Sequence, residues 1–135
     1  MLVVIDTNVL VSALWSRNGA PAQILAMIQN GRLTPCYDSR ILEEYWRTLR
    51  RSKFGFSEWE IAGILAQIES DGMSVVPSPL SVPFMDEDDR KFYEVAKHCN
   101  ATLITGNLKH YPKDELVLSV TEFLAALRKN GVGVL

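Results

Sequence analysis

Acidic residues stand at three points in the chain where they could bind a divalent metal ion. Asp6 follows the apolar run Leu-Val-Val-Ile, Glu43 and Glu44 are adjacent, and residues 86–89 read Asp-Glu-Asp-Asp. Mg²⁺ and Mn²⁺ prefer oxygen ligands of this kind. Two such ions held by shared carboxylates promote in-line displacement at phosphorus, because one activates water and the other stabilises the leaving oxygen. The residue types therefore suggest phosphodiester hydrolysis.

Asp6 is the most informative of these acids. A short β-branched run that ends in an acid is typical of a buried parallel strand with a carboxylate at its carboxyl end. Ligands bind at that end of the strands in open α/β sheets. Asp6 could instead cap a short helix that runs through Val9 to Leu14. We favour a functional role, because a cap does not need to follow four buried apolar residues.

The second acidic pair lies on a predicted helix that Ser39 is expected to cap and that runs to about Arg51. Its apolar stripe covers residues 41–49. Glu43 lies just outside one border of the stripe and Glu44 just outside the other, so periodicity does not choose between them. Both could simply complement the helix dipole near the helix start.

The third acidic segment also has two interpretations. Asp86 and Asp89 imitate a capping box at the start of a helix. The apolar stripe of that helix nevertheless passes between Asp88 and Asp89, so at least one of them should point toward the edge of the sheet. Four successive acids also repel one another, and a bound cation would relieve that repulsion.

A loop predicted after residue 104 adds further polar groups. Thr105 could offer a hydroxyl and Asn107 an amide oxygen, while Lys109 and His110 could contact a phosphate. His110 could also bind a metal ion. No second histidine stands at ligand spacing, so a surface histidine is the favoured interpretation.

Strands alternate with helices along the chain, which predicts an α/β fold with a parallel sheet covered by helices on both faces. We expect three layers, α/β/α, with a central parallel sheet of about five strands. The predicted strands cover residues 2–5, 33–37, 73–76, 101–105 and 116–120. Thr121 is expected to cap the last helix. Because the carboxyl ends of parallel strands share one edge, Asp6 and the loop after Thr105 should lie close together.

Composition is that of an ordinary globular protein, and we interpret the 135 residues as one domain, 1–135. The chain shows neither an apolar run of about 18 residues nor a signal peptide, so a cytoplasmic protein without membrane association is expected. Cys36 and Cys99 lack metal-ligand spacing and are predicted to be buried free thiols. A net charge of −2 argues against a general nucleic-acid binder, although not against a nuclease with a local basic patch.

Other chemistries find less support in the sequence. GxGxxG, GxxxxGK[ST] and GxSxG motifs are absent from the sequence. A phosphoaspartyl phosphatase would use Asp6 as its nucleophile. The haloacid dehalogenase pattern places a second aspartate two residues later, however, and Asn8 occupies that position.

The chain resembles the PIN domain family, in particular the group of toxin components from prokaryotic toxin–antitoxin pairs. The resemblance rests on VVIDTNVLVSALW, SRILEEYWRTLRRSKF, DEDDRKFYEVAKHCNATLITGNLKHYP and VLSVTEFLAAL, which together span nearly the whole chain. It implies a metal-dependent ribonuclease site of three or four acids. The implied catalytic residues are Asp6, Glu44 and Asp89. With Asn107 they form the implied Mg²⁺ or Mn²⁺ site, and the implied supporting residues are Thr7, Asn8, Asp86 and Thr105.

Asn107 is a departure from the family pattern, since many members carry an aspartate there. A neutral amide would hold a second metal ion more weakly. Two hypotheses follow: a metal-dependent endoribonuclease that acts as the toxin of a type II pair, or a PIN-like binding module with weak or no activity. The resemblance also implies an RNA substrate, an antitoxin protein and a homodimer. The candidate RNA contacts are Arg47, Arg50, Arg51, Lys91 and Lys109.

Overall fold

The computed structural model describes residues 1–131, in which five parallel strands are flanked by six helices. The strands are β1 (Leu2–Ile5), β2 (Thr34–Tyr37), β3 (Met73–Ser74), β4 (Thr102–Ile104) and β5 (Val117–Leu118). The helices are α1 (Thr7–Trp15), α2 (Ala20–Gln29), α3 (Ser39–Leu49), α4 (Glu58–Asp71), α5 (Glu87–Cys99) and α6 (Val120–Lys129). The predicted three-layer α/β/α fold with about five parallel strands is confirmed.

The order of the strands determines where a site can form. The sheet runs β3-β2-β1-β4-β5, so the chain builds outward from β1 in one direction and then in the other. The crevice at such a reversal point, outside the carboxyl ends of the strands, is where open α/β sheets bind ligands. Ile5 of β1 pairs in register with Ile104 of β4. Asp6 and Thr105, the next residue of each strand, therefore lie side by side.

The core forms around β1, whose residues Val3, Val4 and Ile5 are fully buried. Helix α5 packs across β1, β2 and β4. Tyr45 of α3 is also fully buried, and its hydroxyl donates a hydrogen bond to the Ile5 carbonyl oxygen. This bond fixes α3 against the carboxyl end of β1, and thereby places the neighbouring Glu44 at the sheet edge.

A loop before α5 is held by two side chains of that helix. The Arg90 guanidinium donates to the carbonyl oxygens of Leu80 and Val82, both at 2.7 Å. The buried Glu94 carboxylate accepts the Leu80 N–H at 2.7 Å and pairs with Arg40 of α3 at 2.9 Å. The start of α5, which carries the third acidic segment, is thus fixed to both the loop and α3.

Two predicted caps were wrong, and both observed caps stand before the predicted residue. Asp38, not Ser39, caps α3, and its carboxylate accepts the Ile41 N–H at 3.0 Å. Ser119, not Thr121, caps α6 in a capping box with Glu122. A cap needs extended backbone and a side chain that reaches the N–H of the second or third helical residue, and the observed residues meet both conditions. The predicted cap Asp86 of α5 is confirmed, and Ser57 caps α4.

Three further predictions concern the whole chain. Cys36 is buried and Cys99 partly buried, and both are free thiols; burial raises the pKa of Cys36 to about 12. In residues 1–131 no helix is both long and apolar enough to span a bilayer. The last four residues of the domain predicted over 1–135 lie outside the described residues.

Candidate active site

Asp6 lies at the N-cap position of α1, but its carboxylate does not cap the helix. It precedes α1 with extended backbone, yet its side chain makes no capping bond. One carboxylate oxygen, Oδ2, instead accepts hydrogen bonds from the Thr105 hydroxyl at 2.8 Å and the Tyr111 hydroxyl at 2.9 Å. The side-chain cap interpretation of Asp6 is therefore wrong.

The Asp6 carboxylate lies in a costly electrostatic environment. The residue is only 5% exposed, and this burial raises its pKa; the nearby charge of Glu44 raises it further, while the bonds from Thr105 and Tyr111 lower it. Burial also raises the pKa of Tyr111, which keeps the phenol protonated as a donor. A cation beside Asp6 would remove much of this cost.

Glu44 and Glu43 occupy very different surroundings on α3. The Glu43 side chain is 76% exposed and pairs with Arg47 at 3.5 Å. The Glu44 side chain is 14% exposed and accepts a hydrogen bond from the Thr7 hydroxyl of α1. Periodicity could not distinguish Glu43 from Glu44. In the structure Glu44 is the one that lines the same cavity as Asp6.

Lys91, a candidate RNA contact, lies inside the protein instead of on its surface. It is 8% exposed, and its ammonium nitrogen is 2.7 Å from Oε1 of Glu44. The same nitrogen donates to the carbonyl oxygen of Asp88. Lys91 therefore provides the positive charge that Glu44 requires in the metal-free protein.

Asp89 is the least exposed of the three aspartates in the third acidic segment, although Asp86 and Asp88 line the same cavity. Asp86 caps α5 by accepting the Asp88 N–H at 3.0 Å, and Asp88 is exposed. The Asp89 side chain is partly buried, with Oδ2 3.2 Å from Nδ1 of His110. Burial, with the charges of Asp6 and Asp86, raises the pKa of Asp89 to about 6. The charge of Asp6 contributes to this rise, so the two carboxylates lie within electrostatic reach of each other.

The loop after β4 is held to α1 by Asn8. The Asn8 side-chain oxygen accepts the Gly106 N–H at 3.0 Å, and a Cβ atom at Gly106 would lie only 3.1 Å from that oxygen. The Thr105 hydroxyl accepts the Asn107 N–H at 2.9 Å while it donates to Asp6. Asn107 is exposed, and the hydrogen bond that it donates to Thr105 comes from its backbone N–H. This bond fixes the position of the loop and involves no atom of the Asn107 side chain.

Asp6, Glu44 and Asp89 line one open cavity of about 400 Å³. Within residues 1–131, no three acidic, histidine or cysteine side chains are close enough together to hold a metal ion as they stand. Lys91 pairs with Glu44, and His110 contacts Asp89. The donors nevertheless fit Mg²⁺ or Mn²⁺, because all three are carboxylates that line one cavity. Burial and, to a smaller extent, neighbouring acids raise the pKa values of Asp6 and Asp89, so a bound cation would favour their ionised forms.

The remaining basic candidates differ in whether an acidic side chain pairs with them. Arg50 pairs with Glu58 at 3.0 Å, and its guanidinium lies 5.9 Å from the centre of the Trp46 ring. Arg51 and Lys109 are exposed. Their contacts with RNA stay a prediction.

Sequence reasoning missed Tyr111 and the internal role of Lys91. Tyr111 belongs to a recognised segment, but its distance in sequence from Asp6 gives no sign that the two residues meet. The contact follows from the pairing of β1 with β4, and from the short 3₁₀ turn Leu108–His110 that returns the chain toward β1.

Comparison with known proteins gives a family match and a related protein. A family model described as PIN domain matches residues 2–109. An uncharacterized protein, MJ1680, of Methanocaldococcus jannaschii is 36% identical over 108 residues, which cover 78% of this chain and 70% of that protein. No solved structure matches the chain significantly. The chain therefore belongs to the PIN domain family, whose members are generally nucleases that typically use divalent metal ions.

Proposed function

We propose that the protein is an endoribonuclease that depends on Mg²⁺ or Mn²⁺. The observation that carries the proposal is the cavity at the reversal point of the sheet, which the buried Asp6 lines together with Glu44 and Asp89. These three acids come from the end of β1, from α3 and from the start of α5. A folded chain gains little from gathering three carboxylates, and the site is explained if a cation binds there.

Asp6, Glu44 and Asp89 would hold the ion. When bound, a divalent ion of this type lowers the pKa of water and neutralises charge on a phosphodiester. Thr105 and Tyr111 both bind Oδ2 of Asp6 and so fix the orientation of its carboxylate. Thr7 does the same for Glu44. These neutral donors orient the acids without cancelling their charge.

Two residues, Asn107 and Lys91, bear on how many metal ions the site would hold. Many family members carry an aspartate at the position of Asn107, whereas here the side chain is neutral and exposed. Lys91 already supplies one positive charge to Glu44. We therefore favour a site that works with one tightly bound ion.

The biological role that we propose is that of the toxin in a type II toxin–antitoxin pair. It is supported by the resemblance of the sequence segments, and it implies an antitoxin protein that covers the acids as well as a homodimer. A small reading frame that lies just upstream and overlaps this one would favour the role.

Nuclease activity is tested with two matched pairs of proteins. Wild-type protein should cleave single-stranded RNA in Mn²⁺, and the isosteric Asp6→Asn variant should lose this cleavage, as should wild type in chelator. Glu44→Gln should lose at least about 100-fold in rate, the scale of one lost electrostatic contact to the transition state. Glu43→Gln, on the exposed neighbour, should cleave like wild type. Equal rates for wild type and Asp6→Asn would refute the proposal.

The second candidate function is a PIN-like binding module with weak or no nuclease activity. Asn107 and the pairing of Glu44 with Lys91 favour it. Titration calorimetry with Mn²⁺ separates the two functions: a nuclease should show heat that Asp6→Asn abolishes, whereas an inert module should show none and should tolerate that substitution.

A further inference from the structure

Three aromatic side chains form a surface beside the cavity, and we name Trp15, Phe54 and Phe56 the aromatic platform. Trp15 ends α1 and is 63% exposed. Its ring meets Phe54 and Phe56 edge-on, with centroids at 5.8 and 6.2 Å. The two phenylalanine rings stack at 5.4 Å. They can do so because the chain reverses at Gly55, whose φ of +66° is a left-handed conformation that suits glycine.

The platform is continuous with the cavity that holds the acids. Phe54 lines that cavity together with Asp6, Glu44 and Asp89. Helix α1 begins directly after Asp6 and ends at Trp15, a length of about 13 Å at 1.5 Å per residue. A nucleic-acid strand with one phosphate at the acids can therefore reach the platform with a nearby base.

One cationic side chain lies against the platform, and a second is near it in sequence. The Lys53 ammonium lies 5.1 Å from the centre of the Phe54 ring, within the range of cation–π attraction. Arg51 is exposed two residues before it. Arg50 is paired with Glu58, whereas among residues 1–131 neither Arg51 nor Lys53 has an acidic partner. These two charges are available to the phosphates of a bound strand.

We propose that the aromatic platform binds an unpaired nucleobase of the RNA substrate, while Lys53 and Arg51 contact neighbouring phosphates. The inference rests on the proposed ribonuclease function and specifies its substrate class as single-stranded RNA. Aromatic faces stack on any base, and stacking beside cationic side chains is how proteins bind single strands without reading sequence. The base faces of an A-form duplex are covered by adjacent pairs, so the platform should favour single strands over duplexes.

The experiment measures binding in the presence of chelator, where cleavage cannot interfere. Fluorescence anisotropy of an end-labelled oligoribonucleotide of roughly ten nucleotides compares wild type with Trp15→Ala. Loss of one stacking partner should weaken single-strand binding about tenfold and leave binding to a blunt duplex of the same sequence unchanged. Trp15→Phe, which keeps an aromatic face, should retain most of the affinity. Trp59→Ala, on an 80% exposed tryptophan outside the platform, is the matched control and should bind like wild type.

A second measurement covers the case in which Trp15→Ala fails to fold. Because the platform accepts any base, a strand of the same length that keeps every phosphate but lacks all bases is the decisive ligand, and it should bind about tenfold more weakly than the intact strand. Equal affinity of wild type for the intact and the fully abasic strand, or equal single-strand affinity of folded wild type and Trp15→Ala, overturns the proposal.

Other occupants of the platform would give different results. If it is an interface between protein chains, Trp15→Ala should change the mass measured by light scattering while RNA affinity stays constant, and the proposal is then wrong. Binding in chelator is independent of catalysis. Platform-dependent binding without cleavage would contradict only the ribonuclease function, and cleavage without platform-dependent binding would contradict only the platform.

Discussion

Individual residues show how the same kind of side chain takes opposite roles within this site. Asp86 and Asp89 are both aspartates near the start of α5, yet Asp86 caps the helix and the less exposed Asp89 contacts His110. Glu43 and Glu44 also differ, because Glu43 is exposed and Glu44 is largely buried. Residue type and spacing reduce the candidates to acids that are close in sequence, and their surroundings distinguish them. The surroundings of Asp89 should be visible in how the stability of the protein depends on pH.

The raised pKa of Asp89 predicts a pH dependence of stability in the metal-free protein. The folded protein keeps a proton on Asp89 up to about pH 6, whereas the unfolded chain loses it near 3.8. Between these values the folded state binds more protons, so this group makes the free energy of unfolding fall as pH rises. In Asp89→Asn that contribution should vanish, and the variant should gain stability relative to wild type across the same window.

Urea denaturation in chelator at about pH 4 and pH 6.5 measures this difference. Asp88→Asn removes an exposed neighbouring charge and is the control, with a pH slope like that of wild type. If wild type and Asp89→Asn change stability in parallel between the two pH values, Asp89 is not the perturbed group.

At the scale of elements, hydrophobic periodicity identified the helices and strands well and their ends less well. The stripes of α3 and α5 are strong because each helix buries one face. Caps were harder to assign. Asp38 and Ser39 are adjacent and both can cap, and only the backbone conformation shows which residue precedes the first turn. The position of α3 matters because this helix delivers Glu44.

The corrected cap of α3 predicts unequal effects of two adjacent substitutions. Asp38 is buried, accepts the Ile41 N–H and pairs with Arg40 at 2.6 Å. Asp38→Ala should lower the free energy of unfolding by about 1–2 kcal/mol, the range for loss of a helix cap. Ser39→Ala should change it by less than about 0.5 kcal/mol, as is usual for exposed substitutions. Chemical denaturation of both variants tests the assignment, and a larger loss from Ser39→Ala would contradict it.

At the scale of the whole molecule, the fold could be predicted and three candidate acids could be named from the sequence, but the contacts that hold these acids in place could not be predicted. The alternation of strands and helices predicts the parallel sheet, and the family resemblance selects Asp6, Glu44 and Asp89. The bonds from Thr105 and Tyr111 to Asp6 span 99 and 105 residues and depend on which strand lies beside β1. Local pattern holds no information on that order, and it therefore missed Tyr111.

The placement of Asp6 implies that this fold trades stability for function. Burial raises the pKa of Asp6, so the ionised carboxylate destabilises the metal-free protein. Asn at this position keeps the shape and can still accept the hydrogen bonds from Thr105 and Tyr111, but it carries no charge. In chelator at neutral pH, Asp6→Asn should therefore be more stable than wild type, by roughly 1–2 kcal/mol.

Metal ions should reverse this ranking. An ion that binds only the folded state adds about 2.7 kcal/mol of stability at a hundred times its dissociation constant. Wild type should gain stability from Mn²⁺ in this way, whereas Asp6→Asn should respond little. Thermal unfolding of both proteins, with chelator and across a range of Mn²⁺ concentrations, gives the comparison. A less stable Asp6→Asn in chelator, or an equal response of both proteins to Mn²⁺, would show that Asp6 is a structural residue, because only a metal ligand should improve stability when neutralised and abolish the metal response as well.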